Sequence, residues 1–130
     1  MTPEEISLSQ QLAAHPKWTW AEGIFYITTH GGGFPWVKPG NICCLTSLSR
    51  IEDDLAEGLL LDSYPIIDHP ATQGVLLSKV IAAGWRVGPV AEIESAPGKY
   101  AYWRQRPFKI WKDVNSYGAA LAAAWLKAHP

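Results

Sequence analysis

Cysteine is scarce in this chain, which holds two, Cys43 and Cys44, side by side. Adjacent side chains of a strand point to opposite faces, so a disulfide between these two would be strained. Two cysteines without a CxxC spacing also make no recognisable zinc site. We therefore expect two reduced thiols, one buried and one nearer the surface, in a domain that folds without disulfides or metal.

Net charge and long apolar runs are also missing. The 11 basic and 12 acidic side chains give a formal net charge of -1. This balance argues against a general binder of phosphate backbones, which needs a surplus of Lys and Arg on one face, and it makes an extended duplex a poor partner. It leaves room for a small basic patch. No apolar run approaches the length of a membrane span, and the acidic, polar start of the chain lacks the pattern of a secretory signal. We expect a cytoplasmic protein that does not bind membranes.

Apolar and aromatic residues, by contrast, are plentiful. The chain has 130 residues, of which 48% are hydrophobic and 18% charged, and it shows no internal repeat, low-complexity tract or linker. This is the composition of one globular domain, spanning residues 1–130. The seven tryptophans are spread along the whole chain. Because each indole buries a large area, we expect most of them in the core and the remainder at a recognition surface.

The first half of the chain shows helix and strand patterns in alternation. Thr2, Pro3 and Glu5 fit a capping box with proline at the first helical position, and they predict a helix over residues 3–15. A later helix is expected to start with Asp68 as its N-cap and to end at Gly84. The segments between these helices are expected to be strands over 17–30 and 34–46, a short helix over 47–58, and a loop or short strand over 59–67.

The second half predicts a hairpin and a closing helix. Residues 85–111 form two extended runs around the turn "SAPG". The last segment has Asn115 or Ser116 as its cap and one helical stripe, formed by Tyr117, Leu121, Ala124, Trp125 and Ala128. The order of these elements predicts an α+β fold, in which three to four helices pack on an antiparallel sheet of about four strands.

A glycine loop, "HGGGF" at residues 30–34, follows a β-prone run and resembles the oxyanion-hole loop of lipases and esterases. That chemistry also needs a serine on a G-x-S-x-G elbow, which this chain lacks, and a larger sheet than 130 residues supply. Glycine adopts positive φ at little steric cost, so the loop is better explained as a turn between two strands. We expect no esterase activity from His30.

No other pattern indicates catalysis, a metal or a cofactor. The four histidines are scattered, and none has the paired spacing of a metal site on a helix. A carboxylate cluster at residues 52–57 is explained by the solvated face of a short helix. There is no P-loop and no dinucleotide fingerprint. The sequence therefore predicts no catalytic residue, metal ligand or cofactor, and an enzyme is the least supported class.

One binding pattern stands out in the hairpin. Tyr100, Tyr102, Arg104 and Arg106 fall on the same face of one predicted strand. Alternating tyrosine rings and guanidinium groups suit stacking on a base and pairing with a phosphate, which makes these four the candidate ligand-binding residues. The competing interpretation is an outward strand face on which arginine stems cover the tyrosine rings.

Three segments of the chain resemble a group of small bacteriophage and prophage proteins. The segments are "LAAHPKWTW", "HPATQGVLLSKVIAAGW" and "SYGAALAAAWLKA", and their motifs are short. The matching positions are Trp18, Trp20, Asp68, Pro70, Ala71, Thr72, Gly74, Leu76, Leu77 and Trp85. This resemblance implies a place among the phage proteins that have an α-β-α sandwich domain, and a location in the bacterial host cytosol. It implies no activity.

These observations favour a small phage or prophage accessory protein that acts by binding an unidentified protein or a small anionic ligand. One alternative is an anti-defence factor that binds a host immune protein or sequesters a nucleotide signal. A small hydrolase is the third class. A concave pocket with convergent polar groups of perturbed acidity would favour the hydrolase.

Overall fold

The computed structural model describes residues 1–28, 42–45, 51, 60, 63–90 and 98–130. These residues adopt an α+β fold, as the sequence predicts. The elements bounded within them, in chain order, are α1 (Pro3–Ala14), β1 (Phe25–Ile27), β2 (Ile42–Cys44), β3 (Tyr64–Pro65), α2 (Pro70–Ala82), β4 (Trp85–Pro89), β5 (Tyr100–Gln105), β6 (Phe108–Val114) and α3 (Tyr117–Ala128). The glycine loop, nearly all of the helix expected over 47–58, and most of the "SAPG" turn lie outside the described residues.

The first helix has the capping box that its sequence predicts. The Thr2 side chain accepts a hydrogen bond from the Glu5 backbone N–H at 3.2 Å, and Glu5 Oε1 accepts from the Thr2 N–H at 2.9 Å. Glu5 is 5% exposed and also accepts from Ser116 Oγ at 3.1 Å. Burial by itself would raise the pKa of Glu5, but the hydrogen bonds from Thr2 and Ser116 and the nearby N-terminal ammonium lower it below its ordinary value.

The strands form two separate antiparallel sheets of three strands each, with orders β2-β1-β3 and β4-β5-β6. The expectation of about four strands in one sheet is therefore only roughly met. In the first sheet, Phe25 of β1 pairs with Cys44, and Tyr26 pairs with both Cys43 and Pro65. The alternation of side chains shows where strands lie but not which strands pair, and here α2 separates the two sheets along the chain.

The two tryptophans expected in a first strand lie outside it. Trp18 follows α1 in a turn closed by its N–H to the His15 carbonyl at 3.0 Å. It is 9% exposed and makes edge-on contacts with Trp20 at 5.7 Å and with Trp125 at 5.6 Å between ring centroids. Its period-two spacing with Trp20 therefore reflects packing against the core and not a β-ladder.

The second helix is capped by the residue after the predicted one. His69 is the N-cap, and its Nδ1 accepts from the Ala71 N–H at 3.1 Å. The carboxylate of Asp68 instead pairs with the N-terminal ammonium of Met1 at 3.4 Å. The helix ends as expected, with Ala83 as C-cap and Gly84 at a positive φ of 86°.

In the second sheet, β5 is the central strand. Tyr102 of β5 pairs with Val87 of β4 and with Trp111 of β6. A register shift between Tyr100 and Tyr102 marks an irregularity on the β6 side. Strands β5 and β6 are joined by the two-residue turn at 106–107, whose Arg106–Pro107 peptide bond is cis. The second extended run that the sequence predicts for the hairpin is therefore two strands, β5 and β6.

The third helix lies beside α1, and the two run in the same direction. Their N-terminal ends meet where Asn115 donates to Glu4 at 3.3 Å, and their C-terminal ends meet where His15 Nε2 lies 2.6 Å from the His129 carbonyl oxygen. Of the predicted cap alternatives, Ser116 is the N-cap. Gly118, at the start of α3, has no space for a Cβ because it would collide with the backbone carbonyl of Ile67.

The core takes side chains from all three helices and from both sheets. Within the described ranges its fully buried large side chains include Leu12, Ile24, Tyr26, Leu45, Ile67, Leu76 and Leu121. Trp125 of α3 is 3% exposed and packs against His15, Trp18 and His129. None of the helices in the described ranges is long and apolar enough to cross a bilayer.

Candidate functional site

The four predicted binding residues divide between two places. Tyr100, Tyr102 and Arg104 lie at alternate positions of β5, on the face of the second sheet that packs against α3. We call this the inner face. Arg106 lies beyond the end of β5, in the turn that leads to β6. The two tyrosines and the two arginines therefore need separate treatment.

Tyr102 is part of a buried group of three aromatic rings. It is 6% exposed and stacks on Trp111, with ring centroids 5.4 Å apart and an interplanar angle of 6°. Trp85 completes the group at 5.4 Å from Trp111 and 6.1 Å from Tyr102. Burial raises the pKa of the Tyr102 phenol. The Tyr102 ring is in the core and offers no stacking surface to a ligand.

Tyr100 is half-buried and faces the start of α3. Its ring lies 5.6 Å from that of Tyr117, with an interplanar angle of 40°. Burial and the proximity of Tyr100 raise the pKa of the Tyr117 phenol. The protein's own rings therefore surround both tyrosines of the predicted face, because this face of the strand points toward the helix.

The two arginines do come together, at one end of the second sheet. Both line a depression of about 440 Å³, together with Gln105 and residues 83–85 of the α2–β4 connection. The Arg104 guanidinium lies 5.7 Å from the centroid of the Trp85 ring. Its Nε is buried and has no hydrogen-bond partner in the described part of the chain, while Arg106 is exposed. We call this depression the arginine pocket.

The surroundings of the arginine pocket are positively charged. Residues 85–90 and 98–114 contain six basic side chains and one acidic one, Asp113, and the segment between the two ranges adds Glu92 and Glu94. The one ion pair found among the described residues joins Met1 to Asp68, far along the chain from this sheet. The basic side chains of the two ranges are Arg86, Lys99, Arg104, Arg106, Lys109 and Lys112. A chain of net charge -1 therefore concentrates positive charge on one sheet.

A second basic depression adjoins the arginine pocket at Ala83. It has a volume of about 280 Å³, and Lys17, Lys79 and His129 are among its lining residues. Lys79 donates to Thr19 Oγ1 at 2.7 Å, and burial lowers its pKa. The C-terminal ends of α1, α2 and α3 meet here, and basic side chains there complement the helix dipoles. This second cluster is accounted for by the fold, whereas Arg104 and Arg106 are not.

The described residues of the arginine pocket offer groups suited to binding an anion. Among the described residues, those that line it include no serine, cysteine, histidine or carboxylate to act as nucleophile or general base. Within the described residues, no three His, Cys, Asp or Glu side chains are placed to hold a metal ion together. Two guanidinium groups offer planar, permanently charged donors that suit phosphate or carboxylate oxygens.

Fold and site together define a class: a small α+β protein with two three-stranded antiparallel sheets and an arginine-lined depression at the end of the more basic sheet. Comparison with known proteins does not narrow this class, since no protein-family model, no curated protein and no solved structure matches the chain.

The sequence predicted a binding role for the two arginines and gave no indication of the residues that lie beside them. Gly84 and Trp85 lie some twenty residues before Arg104 in the chain and reach the pocket through the β4–β5 ladder, in which Trp85 pairs with Arg104. Predicting these neighbours requires the pairing register of β4 and β5, which a single sequence does not supply. Reasoning from alternation also gave the tyrosines a surface role, because alternation does not say which face of a strand is buried.

Proposed function

We propose that this protein acts by binding a compact anionic partner at the arginine pocket, as a small non-enzymatic accessory protein. The observation that carries the proposal is the pair Arg104 and Arg106, which line one depression and have no acidic partner within the described residues. The origin in a phage or prophage, and the α-β-α sandwich group, rest on the resemblance of the three sequence segments.

The arrangement favours an anion because the Arg104 guanidinium is already held in place. Its plane packs near the Trp85 ring, and its buried Nε lacks an acceptor in the described part of the chain. Arg106 is exposed and free to close on the same anion. Charge-assisted, two-pronged contacts of this kind give both affinity and orientation.

The size of the depression favours a small ligand, or one acidic side chain of a partner protein, over a long polymer. At about 440 Å³ it falls within the range of small-molecule sites. The same pocket suits the alternative of an anti-defence factor that sequesters a nucleotide signal, since a nucleotide phosphate is a compact anion. Both versions need the two arginines.

The test is calorimetric titration with inorganic pyrophosphate and with ADP, at low and at high salt. We expect salt-sensitive binding that Arg104→Ala with Arg106→Ala weakens at least about tenfold, because each charged hydrogen bond contributes about 1.5–3 kcal/mol. Lys17→Ala is the matched control, since it removes an exposed cation from the neighbouring depression. Equal binding by the double variant and the parent would rule the arginine pocket out.

A further inference from the structure

A cleft beside α1 and α3 is separate from the arginine pocket and shares no described lining residue with it. Its volume is about 460 Å³, which falls within the range of small-molecule sites. We call it the helix cleft. The described residues that line it include Leu8 and Gln11 of α1, Ala123, Leu126 and Lys127 of α3, and Tyr102 of β5. A side chain of the buried inner face of the second sheet therefore reaches a cleft that is open to solvent.

Tyr102 brings a buried and unpartnered hydroxyl to the helix cleft. The side chain is 6% exposed, and its hydroxyl has no hydrogen-bond partner in the described part of the chain. In that same part of the chain, the fully enclosed side-chain atoms without a partner are Trp18 Nε1 and Arg104 Nε. The Tyr102 oxygen is not one of them, so solvent reaches it. Because Tyr102 lines the helix cleft, the hydroxyl opens into this cleft.

The other polar groups of the described lining lie at the rim and have partners. Lys127 is exposed, and its Nζ lies 5.2 Å from the centroid of the Trp111 ring. Gln11 is also exposed, and its Nε2 donates to Ser7 Oγ at 3.3 Å. The remaining described lining is apolar and consists of Leu8, Ala123, Leu126 and Pro130. The described lining therefore combines an apolar surface with one buried hydroxyl that lacks an acceptor.

This combination specifies the chemistry of an occupant. A molecule that fills the apolar part excludes water from the Tyr102 hydroxyl, so it must supply an acceptor for the phenol proton in place of water. The phenol keeps this proton at neutral pH, because burial raises its pKa above the ordinary value of about 10. An ion is a poor fit, since it would lose hydration against apolar walls while Lys127 stays at the exposed rim.

We propose that the helix cleft binds a small, uncharged, mainly apolar molecule with one accepting oxygen, to which the Tyr102 hydroxyl donates a hydrogen bond. The apolar part of the molecule lies against Leu8, Ala123 and Leu126. A site of this kind rejects an analogue without the acceptor more strongly than one that differs by a methylene group. This inference goes beyond the proposed function, since the ligand is uncharged and the cleft is separate from the arginine pocket.

The test compares acetophenone with ethylbenzene, which has a similar shape and no accepting oxygen. Each is titrated while the backbone amide NMR signals of Ala123 and Leu126 are followed. We expect the parent to bind acetophenone at least about threefold more tightly than ethylbenzene, as for one neutral hydrogen bond. Tyr102→Phe removes only the hydroxyl. It should weaken acetophenone binding by the same factor, leave ethylbenzene binding unchanged, and so abolish the preference.

Two control variants accompany this test. Tyr100→Phe removes a phenol hydroxyl from the same strand but outside the helix cleft, so the preference for acetophenone should persist. Ala123→Leu adds bulk inside the cleft and should weaken both ligands at least about fivefold, which tests the site even if Tyr102→Phe is unstable. Acetophenone binding should survive Arg104→Ala with Arg106→Ala, so this inference and the proposed function can fail separately.

Several results would overturn the inference. If acetophenone gives no saturable shifts at Ala123 and Leu126 up to its solubility limit, the helix cleft is not a ligand site. Equal affinity of the parent for the two ligands, or a preference that persists in folded Tyr102→Phe, would remove the role of the hydroxyl. Tighter binding of benzoate than of acetophenone, lost in Lys127→Gln, would make the occupant an anion and contradict the uncharged class.

Discussion

The two faces of the second sheet carry the same alternation of side chains and have different surroundings. On the inner face, Tyr102 and Trp85 are 6% and 5% exposed, and they pack with Trp111 beneath α3. On the opposite face, the outer face, Phe108 is 64% exposed, and one edge of the Trp103 indole lies beside Gly88. Both faces are rich in aromatic rings. Aromatic content by itself therefore does not show whether a sheet face is core or surface. The element packed against the face decides this.

The largest effect should come from the helix that covers the inner face. Trp125 of α3 is 3% exposed and contacts His15, Trp18 and His129. Trp125→Ala should lower the free energy of unfolding by about 3–5 kcal/mol, the usual range for emptying a large aromatic site. Denaturant titration followed by circular dichroism measures this. A silent substitution would mean that Trp125 is exposed and belongs to an interface.

The next effect concerns the inner face itself. Trp85→Ala removes one ring of the Trp85–Tyr102–Trp111 group and the partner of the Arg104 guanidinium. We expect a loss of about 3–4 kcal/mol in the same measurement, because Trp85 is only 5% exposed. If the loss is no larger than that of an exposed aromatic residue, the two faces do not differ in the way described.

A smaller and pH-dependent effect is expected for Tyr102→Phe. Burial raises the pKa of Tyr102 in the folded state, so the folded protein holds this proton more tightly than the unfolded chain. The stabilisation is complete below the unfolded pKa of about 10 and is lost as the pH rises through the folded pKa. The variant should therefore lose less stability than the parent between neutral pH and pH values above about 10. Identical slopes in denaturation at several alkaline pH values would contradict this.

The smallest effect should be that of Phe108→Ala on the outer face. Because the side chain is 64% exposed, its removal should change the free energy of unfolding by no more than about 0.5 kcal/mol. The ratio of this value to that of Trp85→Ala measures the difference between the faces directly. A cost comparable to that of Trp85→Ala would show that the outer face is covered in solution.

Much of the local structure was accessible from the sequence because it depends on neighbours in the chain. The capping box of Thr2 and Glu5 forms as predicted, and Ser116 caps α3 as one of two alternatives. These contacts join residues three positions apart, so the residue types themselves specify them. The N-cap of α2 was off by one residue because Asp68 has a competing partner, the Met1 ammonium, from a distant part of the chain.

The candidate site could be predicted from the sequence only in part. Arg104 and Arg106 were identified from alternation with the tyrosines, and they line one pocket. The tyrosines were given a surface role that their packing against Trp111 and Tyr117 does not support. Nothing in the sequence indicated that Gly88 of β4 would lie beside the Trp103 indole of β5.

By itself the sequence determined the α+β class, the capping box of α1 and the period-two alternation of the hairpin, because these follow from backbone preferences and short-range hydrogen bonds. Only the tertiary structure decided that the strands divide into two sheets, that α3 covers the face holding Tyr102, and that Ala83, Trp85 and Arg104 meet at one depression. Those outcomes depend on which distant segments bury each other's apolar surface. That is a property of the whole chain's packing, which no local pattern encodes.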